Sequence, residues 1–449
     1  MTAAIIQEAD RRLWSSRLTS VLLWGTFGLL MFGPVAFGSV EPWSIFTLEA
    51  GATLLILLWL AKQWIDGEVK IKWNPLFLPM AAFAVLIVIQ LAAGGTAYRH
   101  DTVSGALLYC AYAMLCFLSS QVLFRNFQAR RLAFVFSIYG AALASFALLQ
   151  GIASNGKLYW MRTPRMGGQI YGPYVNHNHY AGLMEMLVPI PLVLSVSHLA
   201  SSRQRMLAAA TAAVMASTIF LSGSRGGMLA LLMELLIFAV VLVRRQRGIK
   251  TAVSVGAFLL IVISLLTWVG GGELGRRVSS ISTETRSEIT GGMRLTIDRD
   301  ALHMFAKKPV LGWGLRAFPV VYPQFRSFYT NFFVNEAHND YLQLLVEMGL
   351  LGFGAMLWFL IVVYRRAVGK IKDWTSDVSG TVTLACMLGC SGILVHSAVD
   401  FNLQIPANAA LFYVFCTIAA ADAFAQPARK RRPIPTPQTE EVLPASEVV

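Results

Sequence analysis

The chain has 449 residues, 56% of them hydrophobic and only 14% charged, with a formal net charge of +13 and a mean hydropathy of +0.59. A soluble domain has no use for that much apolar surface. The apolar residues come in blocks of about twenty, the length a helix needs to cross a hydrocarbon core of about 30 Å. Composition therefore excludes a soluble enzyme. The basic excess, which would suggest nucleic acid in a soluble protein, reports membrane orientation here, and no nucleic-acid partner is expected.

The blocks predict an all-α polytopic membrane protein with about 12 transmembrane helices, at 18–38, 44–65, 75–95, 102–124, 132–152, 179–199, 205–223, 225–243, 250–271, 338–364, 376–399 and 402–424. This divides the chain into an N-terminal segment 1–17, helices one to nine over 18–271, a long loop 272–337, helices ten to twelve over 338–424, and a tail 425–449. The first block lacks a small-residue cleavage site and reads as a retained span. The tail is Pro-rich and charged and is expected to be disordered. All five cysteines, Cys110, Cys116, Cys386, Cys390 and Cys416, fall inside apolar blocks, where helix packing accounts for them better than a disulfide or a metal.

Arg and Lys accumulate on alternate connections. One set holds Arg11, Arg12, Arg17, Arg125, Arg130, Arg131, Arg203, Arg205, Arg244, Arg245, Arg365 and Arg366, while the short loops of the other set hold only Arg99. By the positive-inside rule both termini are cytoplasmic. Two long external loops, 153–178 and 272–337, are nevertheless basic, with Arg162, Arg165, Arg276, Arg277, Arg286, Arg294, Arg299, Arg316 and Arg326 among others. An anionic ligand, phosphate above all, would explain them; contact with anionic lipid headgroups is the competing explanation.

Within the long loop, Leu295, Leu302 and Phe305 recur at helical spacing, and Lys307-Lys308-Pro309 stops the pattern. This predicts an amphipathic helix over Met293–Ala306 on the outer membrane surface, with Arg294, Asp298 and Arg299 on its polar side. Leu311-Gly-Trp-Gly-Leu makes a tight turn. The aromatics from Phe318 to Phe333 suit a membrane interface or, less commonly, a sugar-stacking surface.

Four groups on the external side could carry chemistry. His338 sits where this loop meets the tenth helix, with Asn335 or Asn339 near the cap; an imidazole there is either a base or a capping group. Arg225, in Ser-Gly-Ser-Arg-Gly-Gly, is kept at membrane level by a short hairpin, where an unpaired charge is costly. An anionic ligand is favoured over a carboxylate partner, with the glycines letting a phosphate approach the backbone. Arg294 either holds a phosphate or pairs with Asp298 at i+4. Asn176, His177, Asn178 and His179 crowd the mouth of the sixth span. Their i, i+2 histidines do not share a helix face, which favours capping and sugar hydroxyl bonding over zinc. Glu185, Glu234, Glu347 and Asp400 lie in or at the end of spans, functional suspects that also keep a proton-coupled transporter open. No Asp-x-Asp, phosphate-binding Gly-Lys loop or His-rich cluster occurs, so no metal and no cofactor is expected.

Taken together, Ser-Gly-Ser-Arg225-Gly-Gly, Arg294-Leu-x-x-x-Arg-Asp-Ala with Pro309-x-x-Gly312-Trp-Gly314, and Ala-His338-Asn339-Asp-Tyr-Leu-x-Leu-x-x-Glu347-x-Gly349 resemble the O-antigen ligase and O-antigen polymerase superfamily of bacterial membrane glycosyltransferases. The resemblance covers roughly 20–425. It implies a multi-pass protein of the bacterial inner membrane with a periplasmic active site, so that 272–337 becomes a periplasmic loop. It also implies transfer of a glycan from undecaprenyl pyrophosphate to an acceptor hydroxyl in lipopolysaccharide or other polysaccharide biosynthesis; direct attack of that hydroxyl on the anomeric carbon, with no second nucleophile evident, predicts inversion. By similarity, Arg225 and Arg294 hold the pyrophosphate and His338 serves as base. Asn176, His177, Asn178, Asn339 and Arg299 are further candidates for substrate binding. The partners implied are the undecaprenyl-pyrophosphate-linked glycan, an acceptor glycan or lipid A-core, and membrane lipids. Two readings compete: a lipid-linked oligosaccharide flippase or other secondary transporter without catalysis, and an inactive assembly scaffold.

Overall fold

The computed structural model describes residues 2–163, 169–245, 291–330 and 333–424. Its helices are α1 Thr2–Val35, α2 Pro42–Asp66, α3 Phe77–Ala92, α4 Arg99–Val122, α5 Asn126–Ile152, α6 His177–Leu187, α7 Pro189–Val196, α8 Ser202–Ser222, α9 Arg225–Arg245, α10 Gly291–Lys307, α11 Asp340–Lys370, α12 Val378–His396 and α13 Pro406–Ala420. Among the described residues there is no sheet, only the isolated bridges Leu158–Arg162 and Tyr171–Tyr174.

Nine stretches of the described chain are long and apolar enough to cross a membrane, α6 and α7 counting as one stretch, His177–Val196. Pro189 and Pro191 account for the break between them, since proline cannot donate the helical hydrogen bond. The apolar helices α3 and α13 are shorter, at 16 and 15 residues. Eleven of the twelve expected spans thus fall on helices, and the expected span at 250–271 lies outside the described residues. Helix α1 begins at Thr2, so the N-terminal segment is continuous with the first span.

A helix that is apolar all round belongs inside a bundle. Every residue of α13 from Pro406 to Ala420 is buried, as is α6 from Asn178 to Leu187. These two pack with α12 at the centre of a contiguous core that includes Leu183, Met186, Leu388, Phe412 and Phe415. The peripheral helices turn one face outward, exposing Leu54, Leu57, Val85 and Ile361, for example, which is the expected arrangement where lipid replaces water. The chain reaches one end of the bundle at Arg245, whose Nη2 lies 2.9 Å from Asp373 Oδ1. It is next described at α10, on the other end.

Helix α10 packs on the protein by a face other than that of Leu295 and Leu302. Ile297, Ala301 and Met304 are fully buried, whereas Leu295 and Leu302 are 72% and 49% exposed. The small Ala301 and flexible Met304 fit close against the protein, and the bulky leucines are turned away from it. The aromatic run is also largely internal. Phe318 and Tyr322 stack at 5.0 Å between ring centres and join Val334, Ala337 and Val346 in a small core under α10. Tyr329 and Phe333 remain exposed.

Candidate active site

The stretch that leads into α11 is built to present His338. Asn339 is the N-cap of that helix, its Oδ1 accepting from the amides of Tyr341 at 3.1 Å and Leu342 at 3.2 Å, a strong helix-start signal. His338, one residue earlier, takes a left-handed backbone with φ +55°. That region is uncommon for residues with a side chain and recurs at functional sites. The following residue is tied down as well: Asp340 accepts from Ser397 Oγ at 2.7 Å, the Leu403 amide at 3.0 Å and Gln404 Nε2 at 3.1 Å. The start of α11 is thereby fixed to the connection between α12 and α13.

That connection carries Asp400, the hub of the site. Asp400 is 1% exposed. Its Oδ1 lies 3.4 Å from His338 Nδ1 and accepts from the Phe401 amide at 2.9 Å. Its Oδ2 accepts from Asn178 Nδ2 at 2.6 Å and lies 3.6 Å from Arg294 Nη2. The His338–Asp400 separation is an ion-pair distance without the alignment of a good hydrogen bond. Burial pushes the Asp400 carboxyl upward, but His338, Arg294 and His179 outweigh it and hold the group well below the usual carboxylate range. Asp400 is therefore a fixed negative charge. The Phe401 ring packs edge-on between two imidazoles, 4.8 Å from His338 and 4.6 Å from His179.

Arg294 also donates from Nη1 to the Val399 carbonyl at 2.6 Å. Asp298, the i+4 partner weighed from sequence, is not its ion-pair partner; the acid opposite Arg294 is Asp400. Burial raises the Asp298 carboxyl, against the lowering effects of Asn339, His338 and Arg294. Arg225 opens α9 and is exposed. Its neighbour Gly226 meets the same turn from the other side: a Cβ there would lie 2.5 Å from His396 Nε2 and 3.1 Å from Val399 Cγ2. At Gly227 a Cβ would lie 2.7 Å from Ala181 Cβ. The two glycines thus serve close packing of α9 on α6 and α12. The segments carrying Arg225 and Arg294 both converge on residues 396–400.

The Asn176–His179 cluster divides by role. Asn176 caps α6, accepting from the Asn178 amide at 2.8 Å, and Asn178 reaches Asp400. His179 is buried, and the His177 amide donates to the Gln169 carbonyl at 2.9 Å. Arg299 is exposed on α10 and makes no ion pair with the Asp400 cluster among the described residues.

Of the four membrane acids, Glu347 is structural. It accepts from the amides of Arg316 at 2.8 Å and Phe318 at 3.4 Å and from Gln343 Nε2 at 3.2 Å. Backbone bonds from Trp313 to Val346 (2.9 Å), Gly314 to Glu347 (3.0 Å) and Leu350 to Pro309 (2.8 Å) fasten the 309–318 turn onto α11. This explains the spacing Pro309-x-x-Gly312-Trp-Gly314 and Glu347-x-Gly349. Gly312 has φ +71° and a Cβ there would lie 2.5 Å from the Glu347 carbonyl, while Gly349 has φ +62° and touches the Val310 carbonyl. Glu185 pairs with His396, Oε1 to Nδ1 at 2.8 Å, and Glu234 is buried against Gly392.

Sequence reading left Asp400 as one of four functional suspects, without placing it beside His338. The available signal was an acid at the end of a span on the side already given to His338. Among the described residues no group of three or more His, Cys, Asp or Glu side chains could hold a metal. No curated protein matches the chain. Residues 210–359, which carry Arg225, Arg294, His338 and the Gly312–Gly349 clamp, match the family model described as O-antigen ligase, and over that stretch the chain is similar to that family.

Proposed function

We propose that the protein transfers a glycan from a polyprenyl pyrophosphate, undecaprenyl pyrophosphate in a bacterium, to a hydroxyl of an acceptor glycan or lipid A-core on the periplasmic face of the inner membrane. The observation that carries this reading is Asp400, buried and charged, bound to His338 on one oxygen and to Arg294 and Asn178 on the other. With Nδ1 turned to Asp400, the Nε2 atom of His338 is the one free to face an acceptor. As the acceptor oxygen attacks the anomeric carbon, its proton passes to Nε2, and Asp400 stabilises the imidazolium that forms. The bond from the anomeric carbon to the pyrophosphate breaks on the opposite face, giving inversion. Arg294 and Arg225 take up the charge of the departing pyrophosphate, a bidentate role that guanidinium geometry suits. A positioned base commonly contributes about 10²–10⁴ in rate, and one donor aimed at developing charge about 10²–10³.

The test is the purified chain with a pyrophosphate-linked glycan and separate lipid A-core and glycan acceptors, in EDTA. Release of polyprenyl pyrophosphate with extension of one acceptor is the expected result, and the acceptor extended decides between ligase and polymerase. No product with any acceptor, or activity lost in EDTA and restored by a divalent metal, would overturn the mechanism. The buried Glu185–His396 pair and Glu234 favour one second reading, a proton-coupled transporter. Vesicle uptake or flipping of the lipid-linked glycan without bond cleavage would support it instead.

A further inference from the structure

The end of the bundle opposite His338 holds a second polar concavity. A cleft of about 900 Å³, walled by α1, the end of α2 and the start of α5, is lined by Arg11, Arg12, Arg125 and Arg131 together with serine and threonine hydroxyls of α1. Among the described residues two carboxylates, Asp66 and Glu68, line it, and each pairs with a lysine, Lys62 and Lys70 respectively. Among the described residues neither Arg125 nor Arg131 pairs with an acid. Arg131 lies 5.1 Å over the Trp24 ring and Arg125 lies 5.2 Å over Phe124. A guanidinium laid on a ring still has its N–H edge available to an oxyanion. Neighbouring Lys72 has its ammonium brought down to about 8, chiefly by its own burial and then by Lys62 and Arg125.

Depth identifies the ligand's source. Trp14 on α1, Trp64 at the end of α2 and Trp73 in the following loop are 55%, 88% and 61% exposed. Exposed indoles collect at the headgroup level of a bilayer, so the cleft sits among lipid phosphates. A surplus of positive charge that merely orients the helices needs no cavity. Here four arginines from two helices converge on one. We propose that this cleft binds the phosphate headgroup of an anionic membrane lipid, in the leaflet opposite the candidate active site, and so ties α1 to α5.

The full chain, equilibrated with vesicles of phosphatidylcholine doped with phosphatidylglycerol or cardiolipin and extracted in detergent, would be read by native mass spectrometry. The wild type should retain the anionic lipid in preference to phosphatidylcholine. Arg125→Gln/Arg131→Gln should retain roughly tenfold less or lower, since each cation near an anionic surface contributes about a factor of five. Arg11→Gln/Arg12→Gln probes the same cleft from the other helix and serves if the first variant fails to fold. Inorganic pyrophosphate at millimolar concentration should not displace the lipid; displacement would keep the phosphate chemistry and move its source to a soluble anion. Equal retention by the variants and the wild type, or no preference over phosphatidylcholine, would overturn the proposal.

Discussion

His338 Nδ1 and Asp400 Oδ1 lie 3.4 Å apart, joining the start of α11 to the turn after α12 through an acid held far below its ordinary titration range, against the push of its own burial, by His338, Arg294 and His179. If the carboxylate fixes the imidazole and stabilises its charged form, Asp400→Asn keeps the shape and removes the charge. Transfer should fall by about 10²–10⁴ in kcat, the range associated with a positioned base, with little change in the KM for donor. His338→Ala should fall at least as far, and the double variant no further than His338→Ala alone, because the two act as one unit. Steady-state kinetics on the three proteins, with equal amounts folded, decides this.

The two arginines should behave differently from the dyad. Arg294→Ala also leaves the buried Asp400 with one fewer cation, so it is expected to lower both catalysis and stability. Arg225, exposed at the start of α9, should affect donor use above all. Arg225→Ala is predicted to reduce kcat/KM for the pyrophosphate donor by about 10²–10³, and Arg225→Lys to restore little, since an ammonium lacks the planar fork. Melting curves beside donor titrations separate the two outcomes.

The spans were legible because a twenty-residue apolar run has few other uses. The ends of α6, α9 and α11 were legible because polar residues interrupt those runs at the membrane edge. What escaped was tertiary. Nothing local marks Glu347 as the acceptor of two loop amides rather than a buried functional acid, and Arg294 carries a ready partner, Asp298, one turn away. Only folding brings Asp400 opposite Arg294. The face of α10 that packs on the protein was illegible for a related reason: Leu295 and Leu302 stand out as apolar, while the packed surface uses Ile297, Ala301 and Met304.

The clamp between the 309–318 turn and α11 can be tested at Gly349. Its φ of +62° and ψ of −167° fall in a region essentially confined to glycine, and the Val310 carbonyl occupies the space a Cβ would need. Gly349→Ala should destabilise the protein by at least about 1–2 kcal/mol from backbone strain alone. The measurement is a lowered melting temperature in detergent, accompanied by loss of transfer. An alanine variant as stable as the wild type would mean that the turn does not need this approach.

Glu336, two residues before His338, gives a pH signature. Burial, then the nearby Glu347, pushes its carboxyl from 4.5 up to about 8, against the opposing effects of Gln343 and Arg316. A carboxyl raised on folding favours the protonated native state. Its contribution is complete below about 4.5 and is lost as the pH rises through about 8. Stability should therefore decline across this window as Glu336 is made to ionise beside Gln343, to which it is hydrogen-bonded. Glu336→Gln keeps the shape without the charge and should flatten that decline, so that wild type and variant melt alike near pH 5 and the variant melts higher near pH 9. Parallel melting curves across the range would show that Glu336 does not carry the dependence.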